Sequence, residues 1–385
     1  MDVTLDFSNY PVIDNHCHPF RPDKETQSYE KYWILSALDM SSEDLKRSLL
    51  YQMVLEELKR YYDMPQATPG EIVGKRTEMY RKDPRAHVSS MFKHGNLECL
   101  VLDIGYPTVE FSGYPVDLKE FQAMMPGVRN KRMIRIEVLI ERLLQQELSF
   151  DEMVRRFRDD VDLEVEENRA IALKSAIAYD TGLEIKIVDR AAAEKGYEAF
   201  MRDGDKGAET LMRNYLFCES LELCRAYSIP MQIHTGWGDS PTFDLRTGNP
   251  LLMLDVLSAD RYRDLDIILV HAGYPYTSEA ASLAHNYPNV WVDLSQMIPF
   301  AGVGIETHFR LLLELAPVTR IMYGSDGYNI PEMFWFSAVY FKKVLNKVFN
   351  DLVYAGTVNA GYAKQAARLI LSENAKRVYQ LEHEE

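Results

Sequence analysis

The sequence predicts an α/β fold, a distorted (β/α)8 TIM barrel with a helical insertion after its first strand. Three observations carry the prediction. Eight short apolar runs alternate with longer helix-like segments, the rhythm of parallel strands joined by helical crossovers. Most of those runs are apolar throughout instead of at every second residue, as strands covered on both faces are. The 385 residues suit one large barrel, read as a single unit over 1–385 with an insertion at about 21–97. An open doubly wound sheet is the other architecture that the alternation allows.

The first run is YPVIDNH at 10–16, followed by ECLVLDIGY at 98–106, MIRIEVLI at 133–140 and AIALKSAIAY at 170–179. The second half adds IPMQIHT at 229–235, LDIILVHAG at 265–273, NVWVDLS at 289–295 and TRIMYGSDG at 319–327. Helical patterning fills the intervals, as at 207–227 and 277–287. The stretch after the first run is too long for a plain βα connection. It opens with SSEDLKRSLLYQMVLEELKRYY, where Ser41 and Asp44 stand at capping-box spacing. A second helix is expected around EIVGKRTEMYRK, before Pro84, and a third around PRAHVSSMFKH, closed by Gly95. An insertion here sits at the C-terminal mouth of a barrel, where it either helps to build the pocket or decorates the surface.

Apolar residues make up 46% of the chain, charged residues 26% and aromatics 11%, which excludes a disordered, collagen-like or low-complexity chain. Against 43 basic residues stand 58 acidic ones, a formal charge of −15. So acidic a chain lacks the basic surface that a nucleic-acid backbone or an anionic lipid surface requires. No run approaches about 18 consecutive apolar residues, so no membrane span is expected. Asp2 and Asp6 stand where a signal peptide needs a basic segment and an apolar run. Cys17, Cys99, Cys218 and Cys224 are scattered without CxxC spacing and read as buried, reduced thiols of a cytoplasmic protein. The sequence contains no P-loop lysine motif, GxSxG elbow or GxGxxG, against a nucleotide-dependent kinase, a serine hydrolase and a Rossmann dehydrogenase.

The residues that carry chemistry stand at the ends of the predicted strands. His16 and His18 flank Cys17. Alternate residues of a strand point the same way, so the two imidazoles can share one metal while Cys17 packs on the other side. His234 ends the fifth run, His271 the sixth and Asp326 the eighth. The C-terminal strand ends of a barrel form one ring, which brings these residues together. A single histidine after an apolar run is ordinarily a core or capping residue. Four of the nine histidines at strand ends, joined by an aspartate, instead describe an imidazole–carboxylate site suited to zinc, manganese or iron(II).

The segments NHCHPF, IHTGWGD, LVHAGYP and YGSDGYNIPE resemble the amidohydrolase superfamily. KSAIAYDTGLEI, after the fourth strand, is similar to its amidohydrolase-related branch, close to the nodulin/FluG-type proteins. The resemblance runs from about residue 10 to the C-terminus and is weakest over 21–97. It implies that His16, His18 and His234 are metal ligands, and that His271 binds a second metal or contacts substrate. It implies that Asp326 touches the metal and its water and serves as general base, then acid. Lys174 stands where binuclear relatives carry a carboxylated lysine that bridges two metals; an unmodified ammonium would contact substrate or snorkel to the rim. The implied cofactor is a divalent metal, zinc first, with one or two ions per chain.

Lesser candidates surround these residues. Arg21 could hold a substrate carboxylate in bidentate fashion. Trp237 and Asp239 follow His234 and are expected at the pocket, as is Tyr328 after Asp326. Glu332, after Pro331, is expected to stabilise a helix N-terminus. The expected function is metal-dependent hydrolysis of an amide-type C–N bond in a small molecule, a γ-glutamyl-type amide being favoured by the branch resemblance. A metal-dependent decarboxylase, a uronate-type isomerase and a barrel that binds metal and ligand without catalysis are the competing readings. The complete ring of ligands, Asp326 included, speaks against the last. The expected partner is a small-molecule substrate, with no nucleic acid and no membrane; a homo-oligomer is left open.

Overall fold

In a computed structural model, which describes residues 4–21, 27–36, 38–106, 117–238 and 243–381, eight parallel strands pair in sequence order. They are β1 (Val12–Cys17), β2 (Leu97–Asp103), β3 (Arg129–Arg135), β4 (Ala170–Ser175), β5 (Met231–His234), β6 (Ile267–Val270), β7 (Val290–Asp293) and β8 (Ile321–Met322). The first and last strands meet and close the ring. The Asn15 amide donates to the Tyr323 carbonyl at 3.1 Å, and the Asp326 amide to the His16 carbonyl at 2.8 Å. With helices around it, the sheet is a (β/α)8 barrel.

Side-chain alternation divides the apolar residues between two cores. Ile13, Val101, Met133, Ala172, Ile268, Val270 and Met322 fill the barrel interior, joined by Ala375, Val378 and Tyr379 of the C-terminal segment. Val12, Leu100, Leu102, Leu173, Ile233, Leu269 and Val292 face the other way, into the larger core shared with the helices. Both faces of the strands are therefore buried, which is why the runs read as apolar throughout.

The insertion between β1 and β2 carries α1 (Ser42–Arg47), α2 (Leu49–Tyr61), α3 (Pro69–Lys82) and α4 (Pro84–Gly95). The Ser41 hydroxyl accepts from the Asp44 amide at 3.1 Å, as the capping spacing requires. The first predicted helix is divided at Ser48, whose hydroxyl caps α2 by accepting from the Tyr51 amide at 3.2 Å. Gly95 does not close α4; it is the last helical residue, and Asn96 takes the left-handed cap at φ 54°. Asparagine tolerates that conformation nearly as glycine does.

The third strand is displaced from its predicted run. β3 ends at Arg135, and residues 136–140 open α5 (Ile136–Leu144). β3 begins with Arg129, Asn130, Lys131 and Arg132, so no apolar signal marks its start. Ile136, Leu139, Ile140 and Leu143 recur at helical spacing and form the buried face of α5. Other runs overshoot their strands: the fourth ends at Ser175, and the eighth shrinks to Ile321–Met322. The fourth run continues into a short 3-10 turn, Ile177–Tyr179, and the eighth into the loop that carries Asp326.

A helix α6 (Pro331–Tyr354) follows β8 and receives the insertion. Phe334 meets Phe20 and Phe92, and Trp335 meets Tyr61. Glu332, in the first turn of α6, does more than stabilise a helix end: it is fully buried against Arg76 of α3, at 2.5 and 2.8 Å, and His87 of α4, at 3.0 Å. All four cysteines are buried and free. Among the described residues no helix is long and apolar enough to cross a membrane.

Candidate active site

The two histidines of β1 are aimed by partners on other strands. Gln232 of β5 donates through Nε2 to the Asn15 carbonyl, at 2.8 Å, and to the Tyr379 hydroxyl, at 2.7 Å. Its Oε1 is thereby turned to His16 Nδ1 at 2.7 Å. A carboxamide oxygen only accepts, so the His16 ring proton sits on Nδ1 and Nε2 bears a lone pair. His18 Nδ1 lies 3.2 Å from the Asp103 carbonyl, which assigns the same tautomer. Both Nε2 atoms face one oxygen of Asp326, at 3.3 Å from His16 and 3.1 Å from His18. Cys17 points away, its thiol 3.6 Å from the Val101 carbonyl, as a packing residue should.

The other two histidines are ordered by a relay from β7. Asp293 accepts from the Ser295 hydroxyl at 2.6 Å and from the His271 amide at 2.8 Å. With its proton committed to Asp293, Ser295 Oγ accepts from His271 Nδ1 at 2.8 Å. His271 Nε2 is then the acceptor for His234 Nδ1 at 3.1 Å. His234 Nε2 is left buried, with no hydrogen-bond partner among the described residues. Burial, above all, holds His16, His234 and His271 well below the usual histidine range, so they are neutral. Burial also pushes the Asp293 carboxyl up to about 6 and that of Asp14 up to about 7.

Asp326 adopts a left-handed conformation, φ 55°, and its backbone N–H donates to the His16 carbonyl. Ligand atoms of His16, His18 and Asp326 all lie within 4.8 Å of one another. The site passes a test of fit for a divalent metal. Two imidazole lone pairs and a carboxylate oxygen converge with no donor between them, which is unfavourable until a cation lies among them. The buried His234 Nε2 next to them is an orphan of the same chemical kind. Each ring has an outer acceptor on its remote nitrogen, the support that metal-ligating histidines ordinarily have.

Lys174 stands between its strand partners Arg135 and Gln232, is 1% exposed, and has no hydrogen-bond partner at Nζ among the described residues. Burial first, then the Arg135 charge, brings its ammonium down to about 8 against the pull of nearby carboxylates. Arg135 ends β3 and binds Asp103 through Nε and Nη2, at 3.0 and 2.5 Å. Gly105 permits that approach, since a Cβ there would meet the Arg135 Cβ at 2.5 Å. Glu137, on the first turn of α5, accepts from Ser175 at 2.7 Å, and burial raises its carboxyl.

These residues line one cavity of about 550 Å³ at the C-terminal mouth of the barrel. All six residues of the predicted site are in its wall: His16, His18, Lys174, His234, His271 and Asp326. Tyr328 lines it too, and the insertion reaches it through Leu35. Arg21 does not; it lies in a separate cleft with Asp83 and Glu120. Trp237 packs on Tyr274 and Phe300 instead of lining the cavity, and Asp239 lies outside the described residues. Sequence reasoning missed Arg135, Glu137, Gln232, Asp293 and Ser295. Arg135 and Glu137 were hidden by the displaced third strand, and the other three act on partners remote in sequence.

With this geometry in view, residues 161–381 match the sequence model of a family described as amidohydrolase. The chain belongs to that family. The match contains Lys174, His234, His271 and Asp326, while His16 and His18 lie ahead of it. The chain is 27% identical to protein fluG of Emericella nidulans over 406 residues, covering 97% of this chain and 46% of fluG. It thus spans about half the length of that curated relative. A crystal structure from Lactobacillus casei, of a protein given provisionally as a metal-dependent hydrolase, is 27% identical with a TM-score of 0.84. That similarity covers 99% of both chains. Glucuronate isomerase of Caulobacter crescentus shares the fold, at TM-score 0.69 and 14% identity over 98% of this chain and 93% of its own.

Proposed function

We propose that this amidohydrolase is a metal-dependent hydrolase of an amide-type C–N bond in a small molecule, a γ-glutamyl-type amide being the first substrate to test. The observation that carries the reading is the convergence of His16, His18 and Asp326 at the floor of an open cavity, beside a buried His234 nitrogen without a partner. His16, His18, His234 and Asp326 would hold one divalent ion, zinc by preference for this donor set, with His271 facing substrate. When bound, such an ion polarises a carbonyl and acidifies water.

The chain's own groups supply the rest. Asp326 engages His16 and His18 through Oδ1, while Oδ2 makes no hydrogen bond among the described residues. That second oxygen is free to take the proton of the attacking water and return it to the departing nitrogen. The Asp293–Ser295–His271 relay fixes the His271 ring so that its Nε2 side faces the cavity floor. Tyr106, whose ring lies 5.1 Å from that of His18, and Tyr328, 6.1 Å from Tyr106, add aromatic wall to the cavity.

The experiment is a screen of zinc-loaded and manganese-loaded protein against N-acyl and γ-glutamyl amides, read as release of free amine. Amine release, with products heavier in sum than the substrate by one water, is the expected result. Release of carbon dioxide would assign a decarboxylase, and a product isobaric with the substrate an isomerase.

A further inference from the structure

Two cations of the cavity wall have donors that the protein leaves unused. Lys174 Nζ is buried and has no hydrogen-bond partner among the described residues. Arg135, its register partner across β3 and β4, uses Nε and Nη2 on Asp103, and its Nη1 makes no hydrogen bond among the described residues. Among the described residues, none of the carboxylates of the same region hydrogen-bonds to Lys174. Asp103 takes Arg135 on one oxygen and the Gly105 amide, at 3.0 Å, on the other. Asp326 faces the two β1 histidines through Oδ1, and Glu137 accepts from Ser175 on Oε1 while its Oε2 makes no hydrogen bond among the described residues. The four histidines of the floor bring imidazoles and no counter-ion.

A buried ammonium without a partner is costly, and stable folds keep few of them. One that lines a ligand cavity beside a guanidinium with an uncommitted edge has an evident use: a carboxylate would satisfy both. Neighbouring strands lie about 4.8 Å apart, so donors on β3 and β4 can reach the two oxygens of a single carboxylate.

We propose that Lys174 and Arg135 form a carboxylate anchor, so that the substrate is an amide whose acyl or amine part carries a carboxylate. The inference rests on the reading of this cavity as the substrate site. It assigns Lys174 to substrate as an unmodified ammonium, in place of the metal-bridging carbamate that the family resemblance suggests.

The test is equilibrium binding of glutarate, and of its neutral isostere glutaramide, to zinc-loaded protein by calorimetry. Wild type should prefer glutarate. Lys174→Met and Arg135→Lys should each weaken glutarate by about tenfold or more, the scale of a lost charge-assisted hydrogen bond, and shift glutaramide by less than about twofold. Arg135→Lys keeps a cation for the buried Asp103 and so guards against a folding defect. Zinc content of the variants should equal that of wild type. Unchanged glutarate affinity in both variants would overturn the anchor, as would a wild type indifferent to the charge of the probe. Loss of zinc with Lys174→Met would overturn it differently, by making Lys174 a metal ligand. Glutarate binding needs no turnover, so a failed amide screen and a failed anchor are separate outcomes.

Discussion

Asp326 sits at φ 55° between Ser325 and Gly327, with its amide on the His16 carbonyl and one oxygen facing both β1 imidazoles. Its place is therefore set by backbone as much as by side chain, and a near-isosteric change should leave the site assembled. Asp326→Asn should keep the fold and much of the metal but lose about 10²–10⁴ in kcat, since an amide cannot take the water proton. Compared at equal metal occupancy, a variant that retained more than about a third of wild-type kcat would reduce Asp326 to a structural ligand. The roles of His16 and His18 were legible because two imidazoles two residues apart on a strand share a face. Gln232 was not legible: it interrupts an apolar run and its partner His16 is 216 residues away. Gln232→Leu removes the acceptor that holds the His16 proton on Nδ1, and should weaken zinc binding by about 10–100-fold in a competition titration with a chromophoric chelator. An unchanged zinc affinity would show that the tautomer is fixed by something else.

Between the residue and the barrel lies the contact that fastens the insertion to α6. Glu332 stands six positions after Asp326 in the sequence, and its ion pair with Arg76 is buried on both sides, at 0% and 1% exposure. Burial opposes the charge, but Arg76 and a hydrogen bond from His87 hold the Glu332 carboxyl down at about 2, against an ordinary 4.5. A carboxylate lowered in the folded state contributes stability that is fully present above its unfolded value. That contribution fades as pH falls from 4.5 toward 2. Glu332→Gln should therefore differ most from wild type near neutrality, and the gap between their urea midpoints should narrow below about pH 4.5. A gap independent of pH would mean that the charge contributes nothing. Glu332→Ala, which strands Arg76 and His87, should cost about 3–5 kcal/mol. Legibility at this scale was uneven. The helix cap at Ser41 is local and could be read from spacing, whereas the Glu332–Arg76 pair joins residues 256 apart. β3 was misplaced because its polar first half gives no apolar signal and α5 continues its apolar end, and that error concealed Arg135 and Glu137.

At the scale of the whole molecule, the barrel was legible because burial on both faces makes parallel strands apolar throughout, and because its connections are helical. The closure of the ring was not, since it depends on hydrogen bonds between Asn15, His16 and the chain after β8. The same seam holds the candidate metal site: His16 and His18 come from the β1 side and Asp326 from the β8 side. A bound ion would tie the first strand to the last, so metal should raise the thermal midpoint and a chelator lower it, by mass action on the folded state. Everything proposed for the site requires that these ligands hold a metal, which elemental analysis of protein purified without chelator, beside a His16→Ala variant, decides. Wild type should carry about one equivalent of zinc or a related divalent ion per chain, two if a second ion joins at His271, and the variant should lose most of it, because an open catalytic site has few ligands to spare. Less than about 0.2 equivalents in wild type, with no gain after zinc or manganese is added, would contradict it.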